Sequence, residues 1–186
     1  MTTSDWNKLE DSELIRLSQQ GDSRAFNVLV ERYRPEALNI AYRMLGDRND
    51  AEDACQNAWL SVWKAIRQFK GGNFKAWELT ILANACRYEF RKRKQRVEFT
   101  VHDFPSHSAN DSVANDALIS EKLVTVQKAL LKLSHEQRLV ITLRAFSGLS
   151  YKEIAQAMNC SIGTIRSRLN RAKINLRDIL HDEELL

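Results

Sequence analysis

The sequence predicts an all-α protein: two small helical domains joined by a flexible acidic linker. Gly and Pro together supply only eight of the 186 residues, too few for a turn-rich β chain. Apolar residues recur near every 3.6 positions in almost every segment, the period of a helix with one buried face. The chain also changes character at residue 97. Residues 87–96 carry six basic side chains against one acid, whereas residues 97–118 carry four acids and no Lys or Arg. This division gives a first domain at 1–96, a linker at 97–118 and a second domain at 119–186.

The first helix is expected over about 11–20, ended by Gly21. A second opens at Asp22 with Phe26, Leu29, Val30 and Tyr33 on one side. Pro35 should kink or break it, because an interior proline removes a hydrogen bond and clashes with the preceding turn. After residues 38–45 and a turn at 46–50, a third long helix buries Ala51, Cys55, Trp59, Val62 and Ile66. Its first turn is strongly acidic. Gly71 and Gly72 break the chain before a fourth helix, over about 75–93, with a basic C-terminal end.

The linker is rich in Ser, Asn and Asp and shows no sustained period. As flexible coil its 22 residues would span about 25 Å on average and about 75 Å fully extended. In the second domain Ile119, Leu123, Val126 and Leu130 share one helix face. Ser134 with Gln137 reads as a capping box opening a helix whose Leu139, Val140, Leu143 and Phe146 face inward, and which ends at Gly148.

Residues 148–171 are the most informative stretch. Ser150 and Glu153 form another capping box, so a helix opens at Tyr151, with Ile154, Ala155 and Met158 as its apolar stripe. A turn follows at Asn159 and Cys160. Ser161 caps a second helix, in which Ile162, Ile165 and Leu169 point inward while Gly163, Thr164, Arg166, Ser167, Asn170 and Arg171 lie opposite. The pattern reads as a helix-turn-helix. Its outer face suits a DNA major groove, where Arg pairs with guanine, Asn with adenine, and Ser, Thr or further cations hold phosphates. The competing reading is the solvated face of a helical hairpin.

A net charge of +4 and a pI near 9.0 permit a nucleic-acid partner without requiring one. Cys55, Cys86 and Cys160 match no metal-ligand spacing or disulfide framework, and His102 and His107 have no third ligand nearby, so neither metal nor cofactor is expected. The N-terminus lacks a basic patch followed by an apolar run, and no stretch approaches the roughly 20 apolar residues of a membrane span. A soluble cytoplasmic protein is expected.

The order of these parts resembles the extracytoplasmic-function sigma factors of bacterial RNA polymerase, over nearly the whole chain. GDSRAFNVLVERY is similar to the first helix of the family's sigma-two domain, DAEDACQNAW to its acidic segment, and WELTILANACRYEFRKRKQR to its Trp-led basic helix. GLSYKEIAQAMNCSIGTIRSRLNRA resembles the sigma-four helix-turn-helix.

The resemblance implies a promoter-specificity subunit without catalysis of its own. Its partners would be core polymerase, through the β′ clamp and β flap, promoter DNA both duplex and single-stranded, and an anti-sigma factor. It places upstream (minus 35) contacts on Arg166, Ser167, Asn170 and Arg171, with Thr164 beside them and Arg168 and Lys173 on the backbone. Downstream (minus 10) reading and strand opening fall to Asn73, Phe74, Lys75, Trp77, Asn84, Arg87 and Arg91, although Trp77 at the start of its helix also suits the core. Polymerase docking falls to Asp50, Glu52, Asp53, Gln56 and Asn57 with Trp59 beside them. Read from the residues alone, Asp53, Gln56, Asn57 and Leu60 form a mixed stripe at helical spacing, and acids in a first turn also simply favour the helix dipole. Glu78 and Leu82 depart from the family pattern, which has an apolar and a small residue there. Two other classes stay open: a helix-turn-helix regulator that never engages polymerase, and a small nuclease using the Asp50, Glu52 and Asp53 cluster.

Overall fold

The computed structural model describes residues 6–99 and 117–184, and among these residues every regular element is helical. In chain order they are α1 (Asp11–Gln19), α2 (Ser23–Leu45), α3 (Arg48–Ala65) with a 3₁₀ turn at Ile66–Gln68, and α4 (Phe74–Phe99). After the linker come α5 (Ala117–Lys132), α6 (His135–Ala145), α7 (Tyr151–Ala157) and α8 (Ile162–Glu184). The fourth helix therefore runs three residues past the expected boundary at 96, and α5 begins two before 119. Most of the predicted linker, with His102 and His107, lies outside the described residues.

Local chemistry sets the boundaries. Asp22 accepts the Arg24 and Ala25 N–H groups to start α2, and Gly46, in the left-handed region at φ 77°, ends it. Asp47 accepts from the Asp50 N–H at 2.9 Å, so α3 opens inside the expected turn. The predicted box at Ser134 is half present: its hydroxyl accepts from Gln137 N–H at 3.4 Å, but the Gln137 side chain turns to Asn175 instead.

Pro35 neither ends nor interrupts α2. Phe26, Leu29, Ile40 and Met44 are buried on both sides of it, and packing at that scale, about 1.5–3 kcal/mol per large apolar side chain, outweighs a roughly 3 kcal/mol proline cost. The first domain packs α1 to α4 together. Asp11 ties α1 to Arg32 and Tyr33 on α2. Gln19 donates to the Ile66 and Phe69 carbonyls at 3.1 and 2.9 Å, anchoring the loop between α3 and α4.

The two domains do not stand apart. One apolar core runs through both, joining Ala41, Met44 and Cys86 to Leu130, Leu139, Val140 and Ile154. Arg138, buried on α6, donates to the Leu130, Leu131 and Leu133 carbonyls of its own domain and, at 2.5 Å, to the Met44 carbonyl at the end of α2. Gln127 donates to the Tyr42 carbonyl at 3.1 Å. Phe146, expected to face its own core, is 39% exposed and lies under the Arg43 guanidinium, 3.7 Å from ring centroid to Cζ. Leu123 is likewise exposed, whereas Val126 and Leu130 pack inward as expected.

Candidate nucleic-acid and polymerase interfaces

The helix-turn-helix forms as its caps dictate. Ser150 and Glu153 complete a reciprocal box on α7, and Asn159, at φ 49°, supplies the left-handed residue of the turn. The Ser161 hydroxyl accepts from the Thr164 N–H at 3.1 Å to start α8. Ile165 and Leu169 are buried as expected; Ile162 is not, being 40% exposed because it sits in the first turn before α8 reaches its neighbours. Arg166, Ser167, Asn170, Arg171 and Lys173 stand on the open face, with Thr164 half-buried against Ser161. Arg168 differs. Its guanidinium turns back to Glu136 on α6 at 2.8 Å.

The predicted downstream residues gather at the start and along one side of α4, but both aromatic ones pack against other rings. Phe74 is buried among Tyr33, Phe69 and Trp77, with ring centroids 5.5, 5.6 and 5.7 Å away, so it holds the loop rather than receiving a base. Trp77 is half-buried and leans on Phe69 at 5.0 Å. Lys75 pairs with Glu36 at 2.7 Å. Asn84 accepts from Arg87 at 2.9 Å, and Arg91 stands exposed one turn further on. Asn73 caps α4 through the Ala76 N–H and donates its amide to Glu153 of the second domain at 2.5 Å. Clefts open on both sides of the loop at residues 69–73, one against α1, the other against Ser150, Lys152 and Glu153 of α7.

On α3, Asp53, Gln56, Asn57 and Leu60 form one exposed row, with Leu60 53% exposed. Glu52 lies beside the row, paired with Arg48 at 3.1 Å. Asp50 turns away toward Arg93 of α4 at 3.9 Å. Trp59 belongs to the core, edge-on to Phe26, because it sits on the same helix face as Cys55 and Val62. Next to the row, Phe26, Val30 and Leu38 of α2 and Leu60 and Trp63 of α3 line an apolar cleft of about 670 Å³. The Phe26, Val30, Arg34, Leu38 repeat at every fourth position is the sequence signal that could have found it.

Residues 29–96 match the family Sigma-70 region 2, and residues 123–176 match Sigma-70, region 4. The RNA polymerase sigma-H factor of Pseudomonas aeruginosa is 32% identical over 174 residues, covering 88% of this chain and 90% of that protein. The ECF RNA polymerase sigma-E factor of Haemophilus influenzae is 32% identical over 176 residues, covering 89% and 93%. The chain belongs to the extracytoplasmic-function sigma factors. The fold of this sigma factor is also similar to the sigma factor RpoE of Bartonella quintana, co-crystallised with the anti-sigma factor NepR, at a TM-score of 0.72 and 32% identity over 84% of this chain and 96% of that one.

Burial shapes the electrostatics of the sigma factor's first domain. Glu78, 1% exposed, is pushed up to about 8, chiefly by burial and then by Glu36, with Lys75 opposing; its Oε1 has no hydrogen-bond partner. Burial likewise pushes the Cys55 thiol up to about 12, so it is a packing group at neutral pH. No group of His, Cys, Asp and Glu suited to a metal exists among the described residues, and none of their helices is long and apolar enough to cross a membrane.

Proposed function

We propose that this sigma factor binds core RNA polymerase, brings it to promoters carrying minus 35 and minus 10 elements, and assists strand opening there, acting in the cytoplasm without a catalytic step of its own. The division of labour follows the proposed domains: 1–96 for docking, downstream reading and melting, 97–118 as connector, 119–186 for upstream reading.

Upstream, Arg166, Ser167, Asn170 and Arg171 meet base edges and nearby phosphates from α8, with Lys173 on the backbone; Arg168 joins them only after leaving Glu136. Downstream, Asn73, Lys75, Asn84, Arg87 and Arg91 gather the phosphates of the opened strand, a salt-sensitive interaction. An unstacked base enters a cleft beside the 69–73 loop and meets the exposed part of Trp77; stacking of that kind is worth about 1–3 kcal/mol per base. The exposed row Asp53, Gln56, Asn57 and Leu60, with its adjoining apolar cleft, takes the β′ clamp of polymerase, and the second domain takes the β flap. An anti-sigma factor is the expected inhibitor, supported by the likeness to a sigma factor crystallised with one.

The observation that carries the reading is the combination of two separate exposed faces: a short-chained, arginine-bearing face on α8 and a mixed acidic and apolar row on α3. Transcription in vitro with core polymerase on a promoter library tests it, since specific starts should appear only when the protein is added. Asp53→Arg should abolish those transcripts by blocking holoenzyme assembly while leaving minus 35 duplex binding by the second domain intact. A variant that still assembles would remove Asp53 from the docking surface.

A further inference from the structure

The tip of the 69–73 loop has no hold of its own. Gly71 and Gly72 stand at φ 93° and 97°, and no atom beyond the neighbouring residues lies within 4 Å of where a Cβ would sit on either. Only the two ends of the loop can fix where its tip lies. At the trailing end Asn73 caps α4 through the Ala76 N–H. The leading end is tied by a distant part of the chain: Gln19, the last residue of α1, donates to the Ile66 and Phe69 carbonyls, 47 and 50 residues away in sequence. Both carbonyls lie at the end of the 3₁₀ turn, where acceptors run short of backbone donors. A carboxamide nitrogen carries two N–H groups, and here the loop takes both.

Phe69 carries this hold to the reading surface. Its ring lies edge-on to Phe74 at 5.6 Å and tilted against Trp77 at 5.0 Å, so the placing of the Phe69 backbone decides how much of the Trp77 face stays open. The loop stands between the two: Gln19 lines the cleft on its α1 side, and Trp77 the cleft on its α7 side. We infer, on the downstream role proposed for Trp77 and this loop, that Gln19 is a positioning residue for base selection at the minus 10 element. It holds Phe69 from behind and so sets the opening between the glycine tip and Trp77, which determines the unstacked base that fits. A tip without side chains selects by placement alone, and sites of this kind work only when held to within about 0.5 Å. Gln19 itself needs no contact with DNA.

Transcription by polymerase holoenzyme, on promoters carrying each base in turn at every minus 10 position, tests the role. Gln19→Met keeps the length and the apolar stem of the side chain and removes both donors. It should flatten the preference at one downstream position about five- to tenfold, the worth of one or two hydrogen bonds, while minus 35 binding and holoenzyme assembly stay as they were. Gln19→Asn draws the amide back by about 1.5 Å, keeps at most one of the two bonds and should fall between.

A residue with a merely structural task would lower output from every promoter alike and leave the ranking of bases intact. That outcome in Gln19→Met, beside a wild type that does discriminate, would overturn the positioning role alone. Should Gln19→Met melt below the assay temperature, Gln19→Asn is read against the same two outcomes. A wild-type holoenzyme indifferent to every minus 10 base would sink the downstream reading, and the role of Gln19 with it.

Discussion

The two surfaces proposed to face DNA in this sigma factor are prepared to different degrees. On α8, Arg166 and Arg171 stand exposed and paired with no described residue, and Asn170 lies between them on the same open face. On α4, every polar residue from Asn73 to Arg87 assigned to the downstream element already has a partner: Glu153 for Asn73, Glu36 for Lys75, Glu136 and Asn84 for Arg87. On the proposed assignment, duplex recognition needs little more than approach, with Arg168 alone to be released from Glu136, whereas strand capture needs several contacts inside the protein to be exchanged for contacts to DNA. Readiness follows from position, since the outer face of α8 is open while α4 packs against α7.

The sharpest way to break this comparison is to alter one arginine on each surface. Arg166→Ala or Arg171→Ala should cost about 1–3 kcal/mol at the minus 35 element if the side chain is bidentate to a base, read by footprinting. Arg87→Ala should leave duplex binding by the free chain unchanged, and an equal loss there would mean that both surfaces meet the duplex together.

Glu78 tests whether the first domain tolerates a buried acid for its own stability. Its carboxyl titrates near 8 when folded and near 4.5 when exposed, so the unfolded chain gives up its proton first and stability falls as pH rises between those values. Glu78→Gln should therefore stabilise the chain by about 2–4 kcal/mol at pH 8, with the gain shrinking toward zero near pH 5, measured by denaturant melts.

A smaller effect is expected at the seam. Burial, with Arg138, Arg87 and Arg91 adding and Glu136 opposing, holds His135 down near 4. A chain whose domains part takes up a proton below about 6.5 that the packed one refuses, so acidification from pH 6.5 to 4.5 should weaken the packing between the domains by about 1–2 kcal/mol. Scattering against pH reads this, and His135→Gln should flatten the curve.

The helix starts were legible in the sequence because capping is local: Asp22, Ser150 with Glu153, and Ser161 each satisfy backbone within three residues. The open face of α8 and the row on α3 were legible for the same reason, since helical period alone places them. What periodicity could not reveal was which neighbour an apolar face would meet. Phe146 reads as core but packs under an arginine of the other domain, and Phe74 reads as a contact group but closes the first domain's core, as does Trp59, whose burial the helical period did show. Pro35 departs from its local rule because the packing on both flanks outweighs its cost. Glu136 carried no signal at all: an acid in the first turn of a helix is ordinary until Arg87 and Arg168 arrive from elsewhere in the chain.

Gly46 ends α2 in a left-handed conformation, and a Cβ there would come within 2.6 Å of Leu131 across the seam. Two unrelated demands thus fall on one position: the backbone turn disfavours most side chains, and a methyl group there would need the tip of the opposing leucine to move aside. A carbon added at 46 would strain the turn that ends α2 and disturb the packing between the two halves of the molecule in a single step.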